Sequence, residues 1–138
     1  MKKVNNVEFF TAKEILKSET ADKLNIDNYP KDETIIDNIN YTLCRLDEIR
    51  IGYGEPIYIT SGYRCDELNK AVHGVSDSKH RDGLAVDLQW DEDLFDYLVM
   101  ECSFDKLIRE CKKGKLWIHL QFKRDEEKER CRVILFEC

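Results

Sequence analysis

The sequence predicts a single α+β domain over residues 1–138, a small antiparallel sheet of about four to five strands covered by helices. Three features carry that expectation. One long stretch places apolar residues at helical spacing, later segments are short and rich in β-branched and aromatic residues, and the length suits one compact core without a linker.

Thr11-Ala12-Lys13-Glu14 reads as a capping box, in which the Thr hydroxyl accepts from the backbone near Glu14 while the Glu carboxylate reaches back. A short helix therefore follows, to Lys17, with a second turn over 21–24. Asn28-Tyr29-Pro30 marks a turn that the proline defines. From Glu33 the residues Ile35, Ile36, Ile39, Leu43, Leu46 and Ile49 give an amphipathic helix of about five turns, the longest of the chain and the main cover of the sheet.

Past Gly52-Tyr53-Gly54-Glu55-Pro56 the register changes from period 3.6 to period 2. Residues 57–61 read as a strand, 65–72 as a short helix closed near Gly74, and 84–88 as a second strand. Residues 91–102, acidic in the first turn, read as a helix. The last third reads as a three-stranded meander over 104–111, 116–122 and 131–136, joined by polar turns at 112–115 and 124–129. Strand alternation turns Trp117, His119 and Gln121 away from the apolar row of Leu116, Ile118, Leu120 and Phe122. The final strand offers an edge for pairing, and the oligomeric state is not legible.

Hydrophobic residues make up 42% and charged residues 36%, with six Gly and two Pro, which is the composition of a globular chain with a wet surface. A formal charge of -6 lacks the basic footprint of nucleic-acid binding. No apolar run is long enough for a membrane span, and none follows Lys2 and Lys3 as an export signal would require. The expected place of synthesis is the cytoplasm. Without export the six cysteines are expected as thiols, with Cys44 near the apolar stripe of the long helix and Cys111 and Cys131 in strands. No cysteine spacing matches a zinc site.

The chemistry concentrates in two places, Ser78-Lys79-His80-Arg81-Asp82-Gly83-Leu84-Ala85-Val86-Asp87 and Trp117-Ile118-His119. Two imidazoles and one carboxylate supply the three protein ligands of a catalytic zinc, which keeps a fourth position open for water. His80 would sit in a loop entering a strand, Asp87 on that strand and His119 on a neighbouring one. Gly83 and Ala85 are small enough to let backbone approach the ion. His73 lacks any such company and reads as an exposed helix residue.

The pattern Ser78-x-His80-x-x-Gly83-x-Ala85-x-Asp87 with Trp117-x-His119 resembles that of the D-Ala-D-Ala carboxypeptidase family of zinc peptidases, which includes phage endolysin peptidases of the L-Ala-D-Glu type. Thr60-Ser61-Gly62-Tyr63-Arg64, Leu68-Asn69, the opening Phe10 to Glu14 and Ile26-Asp27-Asn28-x-Pro30 resemble it as well, so the likeness spans almost the whole chain and is closest to the compact phage and prophage branch. It implies a Hedgehog-like peptidase fold, zinc held by His80, Asp87 and His119, and peptidoglycan stem peptides as substrate. It also implies that Arg64 binds substrate or developing oxyanion charge, as an always charged fork can. An ion-pair role is the alternative for Arg64. Ser78 is a candidate to bind substrate, to orient His80 or to cap its own loop, and Trp117 either walls the cleft or packs.

Several relatives carry a carboxylate three residues before the last histidine, where this chain has Leu116. The water still needs a general base. If Lys113-Gly114 is the hairpin tip, cross-strand partners sum to 227, Glu110 faces Trp117, and Glu110 shares a sheet face with His119 on the diagonal. Glu110 is thus the expected base, although a turn longer by one residue would send it to the opposite face and the apolar pattern of 104–111 does not settle the register. The reading is a metallopeptidase of peptidoglycan, a carboxypeptidase or an endopeptidase, acting on the wall after phage-type release. The alternative is a non-catalytic zinc module that binds wall peptides or a protein, motivated by Leu116.

Overall fold

Residues 2–138 are described by a computed structural model. Helices α1 (Ala12–Leu16) and α2 (Glu19–Lys23) precede the long α3 (Glu33–Tyr53). The capping box on α1 is present, with the Glu14 N–H donating to Thr11 Oγ1 at 3.2 Å and the Thr11 N–H donating to Glu14 Oε1 at 3.1 Å. Asp32 caps α3 by accepting from the Thr34 N–H at 2.7 Å, and the helix stops at Gly54, whose φ of 81° only glycine adopts without strain. Ile36, Ile39, Leu43, Leu46 and Ile49 are buried. Cys44, expected near that stripe, is exposed.

The remaining elements are β1 (Ile59–Ser61), α4 (Asp66–Ala71), β2 (Ala85–Gln89), α5 (Glu92–Glu101), β3 (Lys106–Lys112), β4 (Lys115–Gln121) and β5 (Arg132–Leu135). The chain is α+β as expected. Its five strands form one sheet in the order β1-β2-β4-β3-β5, antiparallel except at the last pair. Val86, Leu88, Leu107, Ile118 and Leu120 lie on one face and join the buried residues of α3 and α5 in a single apolar cluster. Each buried Leu or Ile there contributes about 1.5–3 kcal/mol. The opposite face carries Asp87, His119, Ile108, Trp117 and Glu110.

The β3–β4 hairpin turns on Lys113 and Gly114, both with left-handed φ, 51° and 78°. That is the geometry of a two-residue turn matching strand twist, and it fixes the register. Glu110 pairs with Trp117 and Ile108 with His119, so Glu110 stands on the face of His119 as the sequence arithmetic predicts.

Two expectations fail. The last strand does not extend a meander but pairs parallel with β3, Leu107 opposite Val133. β2 already holds the other edge of β4, with Val86 opposite Leu120, so β5 cannot pair there and joins the β3 edge instead. The connector before β5 is also more than a polar turn. It contains a short 3-10 helix (Glu126–Lys128) and is held against α3, where the buried Arg45 guanidinium donates to Glu129 Oε1 at 3.0 Å and stacks on Phe122 at 4.3 Å.

Nor are all cysteines thiols. Cys111 and Cys138 form a disulfide, because the parallel pairing carries the residues after β5 along β3 and leaves the two Cα atoms 5.3 Å apart. Among the described residues no helix is long and apolar enough to cross a membrane.

Candidate metal centre

His80 lies in the loop before β2, Asp87 on β2 and His119 on β4, where Asp87 and His119 are direct cross-strand partners. One ligand atom from each gathers within 4.8 Å of the others. His80 Nε2 is 3.2 Å and His119 Nδ1 3.3 Å from the same oxygen, Asp87 Oδ1. The three groups are well buried, with side-chain exposures of 3%, 15% and 12% for His80, Asp87 and His119.

The outer ring nitrogens decide what faces the centre. His80 Nδ1 donates to the Gly62 carbonyl at 2.8 Å, which leaves Nε2 as a lone pair toward Asp87. Gly62 is required there, since a Cβ would collide with the Ile15 carbonyl of α1. His119 Nε2 lies 3.0 Å from Gln121 Oε1, so Nδ1 is turned to Asp87. Two imidazole lone pairs and a carboxylate oxygen thus converge with no donor between them. Such a set calls for a cation.

Zinc fits the set. Two ligands of a tetrahedral ion at about 2.0–2.2 Å stand roughly 3.3 Å apart, the spacing already found at Asp87. Burial alone would raise the Asp87 carboxyl, but when no ion is bound the His119 and His80 imidazoles, which donate to it only when each ring carries a second proton, prevail and hold it well below the ordinary carboxylate range. His119 is displaced the other way. Burial would lower it, and the contact with Asp87 outweighs that and raises it.

Arg64 approaches from the segment after β1. Its Nη2 is 3.8 Å from Asp87 Oδ2, its Nη1 donates to Asn69 Oδ1 at 3.2 Å, and its Nε has no partner. Burial lowers its pKa against the opposing pull of Asp87. The segment is braced by Asn28, whose Nδ2 donates to the Leu16 and Tyr63 carbonyls at 2.9 Å while its Oδ1 accepts from the Cys65 N–H at 2.8 Å. That is the structural content of the Asn28 and Asn69 positions.

Ser78 Oγ accepts from the His80 N–H at 3.2 Å, closing the loop that presents the imidazole. Trp117 lines a cleft of about 390 Å³ together with Asp87, Thr60, Gln89 and Trp90. A second cavity of about 520 Å³ shares Thr60 and continues past Ser61 toward Lys17 and Thr20. Burial pushes the Glu110 carboxyl upward, the His119 imidazole pulls it down, and the Asp87 charge adds to the rise. Leu116 falls opposite Cys111, on the strand parity that points away from His119.

Gly83 does not serve the approach to an ion. Its φ is +76° and a Cβ would stand 2.7 Å from Ile39 Cγ1, so the glycine seats the loop on α3. His73 is exposed at the turn after α4 rather than within a helix. Two polar residues beside the centre were not foreseen. Gln121 was visible as a same-face neighbour of His119 two positions on, but Asp105, which accepts from Gln121 Nε2 at 2.9 Å, arrives from β3's approach with no local signal.

A family model described as Peptidase M15 matches residues 8–120, a span that takes in His80, Asp87, His119, Arg64 and Glu110. No curated protein matches the chain.

Proposed function

The chain belongs to the peptidase M15 family, and we propose that His80, Asp87 and His119 hold one zinc ion for hydrolysis of a peptide bond in bacterial peptidoglycan stem peptides. The observation that carries the reading is the convergence of three acceptors on one point, 3.2 and 3.3 Å from Asp87 Oδ1, with the outer imidazole nitrogens already engaged. When bound, zinc lowers the pKa of a coordinated water toward roughly 7 and polarises a carbonyl.

The chain's own residues do the rest. Glu110, sharing a face with His119 and made more basic by its partly buried position, takes the proton of the attacking water and passes it to the leaving amine. Arg64, buried on the other side of Asp87, offers positive charge to the carbonyl oxygen or to a neighbouring substrate group. Trp117 and Trp90 wall the cleft in which the peptide lies. A second cavity borders the cleft at Thr60, and space on both sides of that residue suits an extended chain cut internally better than removal of a terminal residue.

A second reading rests on Leu116, which leaves the usual carboxylate position apolar: a zinc-holding module that binds wall peptides without cutting them. Elemental analysis of purified protein, combined with digestion of defined muropeptides, separates the two. Zinc with new amino termini inside the stem supports the peptidase, zinc with intact muropeptides supports the module, and no metal overturns both.

A further inference from the structure

We propose that Arg130, Asp105 and Gln121 form a one-way hydrogen-bond relay that holds His119 in its Nε2–H form and so keeps Nδ1 free as a metal ligand. The inference rests on the metal reading above for its purpose, though the relay itself exists without the ion. Gln121 and Arg130 lie outside the span of residues 8–120 matched by the family model.

The direction of the relay follows from what each group is able to do. A guanidinium only donates, an ionised carboxylate only accepts, and a side-chain amide does one at each end. Arg130 Nε donates to Asp105 Oδ1 at 3.0 Å and its Nη2 to Asp105 Oδ2 at 2.9 Å. Asp105 Oδ2 then accepts from Gln121 Nε2 at 2.9 Å. That contact commits the amide nitrogen of Gln121 to Asp105 and turns its carbonyl to His119 Nε2, 3.0 Å away. The imidazole must donate there, and its lone pair falls to Nδ1, beside Asp87.

The amide is the joint that needs this support. His80 leans on a backbone carbonyl, Gly62, which cannot turn around. Gln121 has no such constraint. With its amide reversed, the NH2 would meet His119 Nε2, the ring proton would move to Nδ1, and the ligand lone pair would be lost; the carbonyl would also face the Asp105 carboxylate. Asp105 and Gln121 are only 1% and 5% exposed, so water is a poor substitute for either partner. Outer-shell partners of a metal-binding histidine act in this way, orienting the ring and setting its tautomer. Gln121, Asp105 and Arg130 are positioning residues, not catalytic ones.

The test uses the full chain with zinc and a competing chelator, and with the apo protein in parallel. Gln121→Met keeps the shape and removes the acceptor; it should weaken zinc binding by about 10- to 100-fold. The double variant Asp105→Asn/Gln121→Glu exchanges acid and amide, gives up the Arg130 Nη2 contact but keeps an acceptor for His119 and a donor–acceptor pair between the two positions, and should bind zinc more tightly than Gln121→Met. Histidine nitrogen NMR of the apo protein, taken at a pH high enough that the His119 signals no longer change, should show His119 protonated on Nε2 in the wild type and mixed in Gln121→Met. Folded Gln121→Met with wild-type zinc affinity, or wild-type His119 protonated on Nδ1, would overturn the relay. Should the wild type bind no zinc at all, the metal reading fails, while the NMR result still decides the tautomer.

Discussion

Asp87 on β2 and His119 on β4 are direct antiparallel partners, and Asp87 Oδ1 stands 3.3 Å from His119 Nδ1. The centre therefore depends on strand register as much as on residue identity. A slip of one residue would send Asp87 into the apolar layer and break the set.

Removing one donor should empty the centre without unfolding the chain. Asp87→Asn or His119→Ala should bring zinc content from about one ion per chain to near zero by elemental analysis. In the wild type, zinc at roughly a hundred times its Kd should add about 2.7 kcal/mol to unfolding stability, reversed by chelator. Stability indifferent to zinc would speak against a site in the folded state.

Glu110→Gln should retain zinc and lose turnover by roughly 100- to 10,000-fold, the usual contribution of a general base. Steady-state kinetics on a defined muropeptide read this directly. Undiminished hydrolysis would remove Glu110 from the mechanism.

Leu116→Glu should not rescue Glu110→Gln. Position 116 lies opposite Cys111 within regular β4, at an odd separation from His119, so a carboxylate placed there points away from the centre. Recovery of activity in that double variant would show that β4 is irregular at its start.

Asp105 makes the fold acid-sensitive. Burial would raise its carboxyl, but the Arg130 and Gln121 hydrogen bonds hold it well below the 3.8 of a free side chain. A depressed folded pKa contributes stability that is present above the unfolded value and fades as pH falls below about 4. Chemical denaturation of the wild type from pH 6 to 3 should show this loss, and Asp105→Asn should be less stable by about 2 kcal/mol at neutral pH with a flatter acid limb. An unchanged acid limb would show that Asp105 is not ionised in the fold.

Cys138→Ser should cost about 3 kcal/mol under non-reducing conditions, since the bond with Cys111 closes a loop between residues 27 apart. Under strong reductant the wild type and the variant should unfold alike. A difference that persists in reductant would place the effect elsewhere.

Much of this protein was legible in the chain because the signals involved are local. The 3.6 period of Ile36, Ile39, Leu43 and Leu46 made α3 readable, and strand alternation put His119 away from the core. Lys113-Gly114 suggested a two-residue turn, from which the face of Glu110 followed by arithmetic, but a turn one residue longer would have reversed that face, and the register in the fold decides between them. The donor types at 80, 87 and 119 allowed a metal site, and the resemblance of the surrounding motifs to zinc peptidases singled that reading out before any geometry was known.

What tertiary structure alone decided are the pairings between distant segments. β5 lies parallel to β3 because β2 occupies the far edge of β4 and Arg45 holds the connector against α3; neither fact is written near residue 132. The disulfide follows from that placement, as does the meeting of Arg130 with Asp105 beside Gln121. A side chain's face is a property of its own strand, whereas its neighbour across the sheet depends on which edges the rest of the chain leaves open.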